Sequence, residues 1–95
     1  MYILDEPEAA LSPQRQLSLL IRMRQLIAER SQFIIATHSP ILMAYPGARI
    51  WQLGSTGIEK IAYTDTEHYN ITRTFLENPE RMLNALWKQP TDDDA

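Results

Sequence analysis

Asp5 and Glu6 stand side by side at the end of the apolar run Met1-Tyr2-Ile3-Leu4, and Thr37-His38-Ser39 closes a second apolar run, Phe33-Ile34-Ile35-Ala36. A carboxylate at a strand end is suited to hold a hydrated Mg²⁺, a hard cation that takes few protein oxygens and keeps most of its waters. A second carboxylate beside it can polarise an attacking water as a general base. An imidazole across from them can donate a hydrogen bond to a transferring phosphoryl group. Taken singly these signals are weak: an Asp-Glu pair after apolar residues usually marks a strand meeting solvent, and a lone His after "IIAT" is usually structural. Their order along the chain gives them weight.

That order implies a positioning scaffold. Met1–Leu4 is suited to a strand buried on both faces, and Pro7 breaks the ladder by removing a backbone donor. Ser12-Pro13 is a helix start, with Ser as N-cap and Pro at the first helical position. Leu17, Leu20, Ile21, Met23, Leu26 and Ile27 then recur at three- and four-residue spacings, which predicts an amphipathic helix of about five turns reaching Arg30. With Phe33–Ala36 as a second strand, the unit is βαβ with parallel strands. Ligands of open parallel sheets bind outside the carboxyl ends of the strands, where both polar clusters fall. A short helical stretch is expected over Ile41–Ala44. Arg49–Leu53 and Ile58–Tyr63, separated by Gly54-Ser55-Thr56-Gly57, predict an antiparallel hairpin. Thr66 is expected to cap a helix ending near Glu77, and Asn78-Pro79 to start another carrying Met82, Leu83, Leu86 and Trp87 on one side. The expected fold class is α/β: parallel βαβ strands, then a β-hairpin and C-terminal helices. Residues 1–88 form one unit, and residues 89–95 a polar, disordered tail.

Composition narrows the function classes. The chain has 95 residues and a formal net charge of −3. With no cysteine, disulfides and thiolate metal sites are excluded. The two histidines, His38 and His68, lie far apart with no metal-ligand spacing around either, and His68 reads as a packing or surface residue. Arg15, Arg22, Arg24 and Arg30 mix with Glu29 as a solvated helix face rather than a nucleic-acid stripe. No apolar run approaches the roughly 20 residues of a membrane span, and no signal peptide is evident. A cytoplasmic location is expected.

"YILDEPEAALSP" resembles the Walker B segment and following D-loop of ATP-binding-cassette (ABC) ATPases, and "FIIATHSP" resembles their switch-histidine loop. The separation of 33 positions between Asp5 and His38 is close to what that family has. "DEPEAALSP" is nearer the soluble ATPases related to DNA-repair and structural-maintenance-of-chromosomes proteins than the "DEPTSALD" of transporter subunits. "AYPGARIWQL" and "TEHYNITRTFLENPERML" resemble the C-terminal part of such stand-alone ATPases. The resemblance implies a partial P-loop NTPase fold, with Asp5 holding Mg²⁺ through water, Glu6 as catalytic base and His38 sensing the γ-phosphate. Thr37 and Ser39 would shape the loop. Ala9-Ala10-Leu11-Ser12 would be the D-loop, which crosses a nucleotide-sandwich dimer in the family. Ser12 stands where the transporter pattern has Asp, so its contacts there are open and helix capping is its other role.

The phosphate loop, Gly-x-x-x-x-Gly-Lys-[Ser/Thr], is missing from the 95 residues. The glycines are Gly47, Gly54 and Gly57, none before a lysine, and the glutamine loop and "LSGGQ"-type signature are also absent. The expectation is therefore the C-terminal half of an ABC-type ATPase, with Met1 at an interior strand position. ATP and Mg²⁺ would bind only with the missing half, and the chain alone would be inactive. Exposed sheet edges would favour a homo-oligomer. DNA is a conceivable partner of the whole protein without support from this chain. Two alternatives stand beside this reading: a small non-catalytic binding or regulatory module docking through the hairpin and tail helices, and a fragment of an ABC transporter subunit.

Overall fold

Each helix starts where a side-chain oxygen meets its first free N–H groups. The computed structural model describes residues 1–88; the tail expected at 89–95 lies outside the described residues. Ser12 accepts from the Arg15 N–H at 3.2 Å and opens α1, Pro13–Ala28. Ser39 caps α2, Pro40–Met43. Thr66 caps α3, Glu67–Glu77, and Asn78 caps α4, Pro79–Trp87. Three of the four have Pro just inside the start, where its missing donor costs no hydrogen bond. α1 stops in a Schellman arrangement: Arg30 N–H donates to Ile27 O, Ser31 N–H to Leu26 O, and Arg30 takes φ 70°, a position glycine usually fills.

Strands β1, Tyr2–Asp5, and β2, Phe33–Ala36, pair in parallel with Asp5 opposite Ala36. The intervening helix makes this the expected βαβ order. Strands β3, Ile50–Gly54, and β4, Gly57–Ile61, form a separate antiparallel sheet. The hairpin is tighter than the sequence suggests, because Gly54 and Gly57 pair and leave only Ser55-Thr56 as the loop. Gly57 sits at φ +122°, which an L side chain rarely adopts. Tyr63 does not extend β4: it enters a 3-10 turn, Tyr63–Asp65, where its hydroxyl donates to Pro40 O at 2.6 Å. That tertiary bond draws the chain off the strand and docks it beside α2.

The expectation that β1 is buried on both faces is not met. Tyr2 and Phe33 stack with ring centroids 4.8 Å apart, and Leu4 and Ile35 beside them are half-buried. On the other face, Ile3 is 73% exposed and its partner Ile34 52%. The physical reason is sheet size: among the described residues the parallel sheet has two strands, too few to be sandwiched between layers. Among the described residues the buried hydrophobic ones are Met23 and Leu42, joined by buried Gln16, Ser39 and Thr66. A radius of gyration of 16.5 Å, against about 12 Å for a compact domain of this length, fits so small a core.

Candidate functional site

The parallel register brings the two polar clusters together. Asp5 and Ala36 are the last residues of their strands, so Glu6 and Thr37 leave the same sheet edge side by side. Glu6 N–H donates to Ala36 O at 2.6 Å, extending the ladder by one bond. Glu6 then turns into the left-handed region, φ 49° and ψ 54°, ahead of a 3-10 turn over Pro7–Ala10. Such a conformation at a non-glycine residue is strained and persists only where its surroundings fix it. The turn directs the Glu6 carboxylate to His38, with Oε1 2.9 Å from Nδ1. Because a carboxylate can only accept, Nδ1 carries the proton, and Nε2 is the nitrogen left for a ligand.

Glu8 is the residue that sequence reasoning missed. Its carboxylate accepts from the Thr37 hydroxyl at 2.6 Å and from the His38 N–H at 2.8 Å. One acid thus fastens the loop after β2 to the 3-10 turn after β1. Burial pushes the Glu8 carboxyl up, but the Thr37 hydroxyl, the backbone N–H groups and the charge of His38 outweigh it and hold it below the ordinary carboxylate value. The signal was in the sequence: "DEPE" has a third acid, one that no strand terminus accounts for. Gln16 was missed too. The Ser39 hydroxyl donates to Gln16 Oε1 at 2.5 Å while accepting from the Ile41 and Leu42 N–H groups, and Gln16 Nε2 donates to Leu11 O. The signal was a polar residue at helical spacing from Leu20 and Met23 on the inner face of α1, where Gln16 and Met23 are the buried residues, since a buried amide needs partners.

The other expected positions lie as follows. Asp5 ends β1 with its side chain exposed. Ser12 serves as the α1 cap. Thr37 and Ser39 shape the loop, and the Thr37 hydroxyl also accepts from the Ser39 N–H. His68 is not isolated, because its ring lies 5.2 Å from that of His38, tilted by 47°. No group of three or more His, Cys, Asp or Glu among the described residues could hold a metal. Beside the cluster runs a largely apolar groove of about 660 Å³, whose lining includes Glu8, His38, Leu17, Tyr63 and Leu76. Burial, then the neighbouring Tyr69, push the Tyr63 hydroxyl above its ordinary value, keeping it a donor to Pro40 O.

Residues 1–44 match an AAA domain family. Its description reads "AAA domain, putative AbiEii toxin, Type IV TA system". The AAA match runs from β1 through α2 and so takes in Asp5, Glu6, Glu8 and the Thr37-His38-Ser39 loop. It supports an ATPase relationship of the general AAA, P-loop kind for this segment. The hairpin, α3 and α4 lie outside it. No curated protein and no solved structure matches the chain. Among the described residues no helix is long and apolar enough to cross a membrane.

Proposed function

We propose that the chain is the C-terminal portion of an ABC-type ATPase, carrying the water-activating and γ-phosphate-sensing side of an ATP site. The observation that carries this reading is the Glu6–His38 contact of 2.9 Å at adjoining ends of parallel strands. Glu6 would polarise the attacking water, and His38, in the protonated form that carries a hydrogen on both ring nitrogens, would donate Nδ1–H to Glu6 and Nε2–H to the γ-phosphate. Glu8 would keep the loop in place between turnovers. Asp5 fits Mg²⁺ in chemistry, as one hard carboxylate at a strand end is what a phosphate-borne, hydrated ion needs, and it is too little for a site built of protein alone. When bound, the metal would neutralise charge on the phosphates. Ser12 would lie at the D-loop position while capping α1.

With no phosphate loop in the 95 residues, the chain by itself would neither hold ATP tightly nor hydrolyse it. Turnover measured on the purified chain with Mg-ATP should equal the protein-free background. A rate that vanishes on Glu6→Gln would overturn the inactivity. Adding a polypeptide that supplies Gly-x-x-x-x-Gly-Lys-[Ser/Thr] and the signature should give hydrolysis that Glu6→Gln and His38→Ala both abolish. Self-association is part of the same reading, supported by the open Ile3–Ile34 face and the free strand edges. Light scattering that shows a monomer over a wide concentration range would remove it.

A second reading has its own observation. Trp51, Leu53 and Ile58 share one face of the hairpin and are 59%, 79% and 65% exposed, a surface that suits a non-catalytic docking module. The coding region upstream of Met1 separates the two. An in-frame phosphate loop and signature favour the ATPase, and a stop codon beside a ribosome-binding site favours the module.

A further inference from the structure

Glu6 and His38 are both exposed, with side chains 52% and 68% accessible, so their contact alone does not fix the imidazole. The His38 main chain is held by Glu8 and its Nδ1 by Glu6, which leaves the ring face to be restrained. His68 supplies that restraint from a third element. It is the second residue of α3, and this end of α3 is anchored beside the loop by contacts of its own. Thr66, buried, donates to Tyr63 O at 2.8 Å and accepts from the Tyr69 N–H at 3.2 Å. The Tyr63 and Tyr69 rings pack 4.7 Å apart, and the Tyr63 hydroxyl reaches Pro40, two residues after His38. His68 is itself exposed and α3 buries no residue, so its place beside His38 is set by these contacts at the start of the helix.

We propose that His68 is a positioning residue, bracing the His38 imidazole so that its Nδ1 stays on Glu6 and its Nε2 stays free for a ligand. The role ties a helix outside the AAA-matched residues into the site, and movement of α3 would be felt at His38. Its functional meaning rests on the reading of Glu6 and His38 as part of a nucleotide site, yet ring positioning is measurable without nucleotide.

The test is the tautomer of His38 in the 95-residue chain, read from long-range ¹H–¹⁵N imidazole spectra about two pH units above the ordinary histidine value of about 6.5. His38 should carry its proton mainly on Nδ1. His68→Ala, which keeps a good helix former in α3, should lower the Nδ1–H to Nε2–H ratio about two- to threefold, the lower end of what an aromatic pair contributes. His68→Phe, which retains a ring, should restore it. An unchanged ratio in His68→Ala would overturn the proposal, as would His68→Phe behaving like Ala with the helical circular dichroism intact. Failure of the phosphate-loop mixture to hydrolyse ATP would count against the nucleotide site and leave this ratio unaffected, so the two failures are distinguishable.

Discussion

The two halves of the molecule are held by different kinds of bond. In residues 1–44, side-chain hydrogen bonds join groups 23, 29 and 30 positions apart: Ser39 to Gln16, Thr37 to Glu8, and His38 to Glu8. In the hairpin, α3 and α4, side-chain hydrogen bonds among the described residues span six positions or fewer, except Tyr63 to Pro40, which reaches into the first half. Local bonds set where helices begin and turns close. Bonds across the fold set where a functional group sits relative to another. The first half therefore has the organisation of a site, whereas the second is a set of capped elements leaning on it through Tyr63 and His68.

If that contrast is sound, the largest loss should come from Ser39→Ala. It removes the α2 cap and leaves the buried Gln16 oxygen without its donor, at a combined cost of about 2–3 kcal/mol in urea denaturation. The matching change in the hairpin, Thr56→Ala, deletes an exposed contact to Glu59 and should stay within about 0.5 kcal/mol.

Glu8→Gln comes next, with a loss of about 1–2 kcal/mol near neutral pH, because the acceptor loses its charge while two donors still face it. Its pH dependence sharpens the comparison. The folded-state value is held below the ordinary 4.5, so the stabilisation is fully present above that value and fades as pH falls through the lower folded one. The stability gap between the wild-type chain and Glu8→Gln should accordingly narrow on acidification below about 4.5, and a gap that widens would contradict the assignment.

Thr66→Ala should cost about 1 kcal/mol by loss of the α3 cap, and should also loosen the His38 ring, since His68 rides on that helix end. Thermal unfolding and the imidazole spectra would report the two effects separately. Arg30→Gly acts in the opposite direction: it relieves the positive φ at the end of α1 and should stabilise by up to about 1 kcal/mol. No gain in the thermal midpoint would mean that Arg30 makes contacts which offset its backbone strain.

Much of the local architecture was legible in the residues. Ser12-Pro13, Thr66 and Asn78-Pro79 mark helix starts because capping needs only a side-chain oxygen two or three residues ahead of a free N–H. The two parallel strands were legible from their apolar runs, and the hairpin from its alternation and the glycines at its turn. Asp5, Glu6 and His38 stood out because acids and an imidazole at strand ends are chemically conspicuous. Glu8 was less so, as nothing within several residues of it says which donors it will meet. His68 had no local signal at all.

The sequence by itself determined where elements begin and end, the order βαβ then hairpin then helices, and which groups stand at the two strand ends. These depend on interactions within a few residues, which the chain carries wherever it folds. Only the tertiary structure decided that β1 lies directly against β2, that Glu8 holds the histidine loop, that His68 meets His38, and that Ile3 and Ile34 stay open to solvent. Each of these joins groups some thirty positions apart or depends on what covers a surface. The outcome is set by the packing of the whole chain against the entropy of closing long loops, a balance that no short stretch of residues contains.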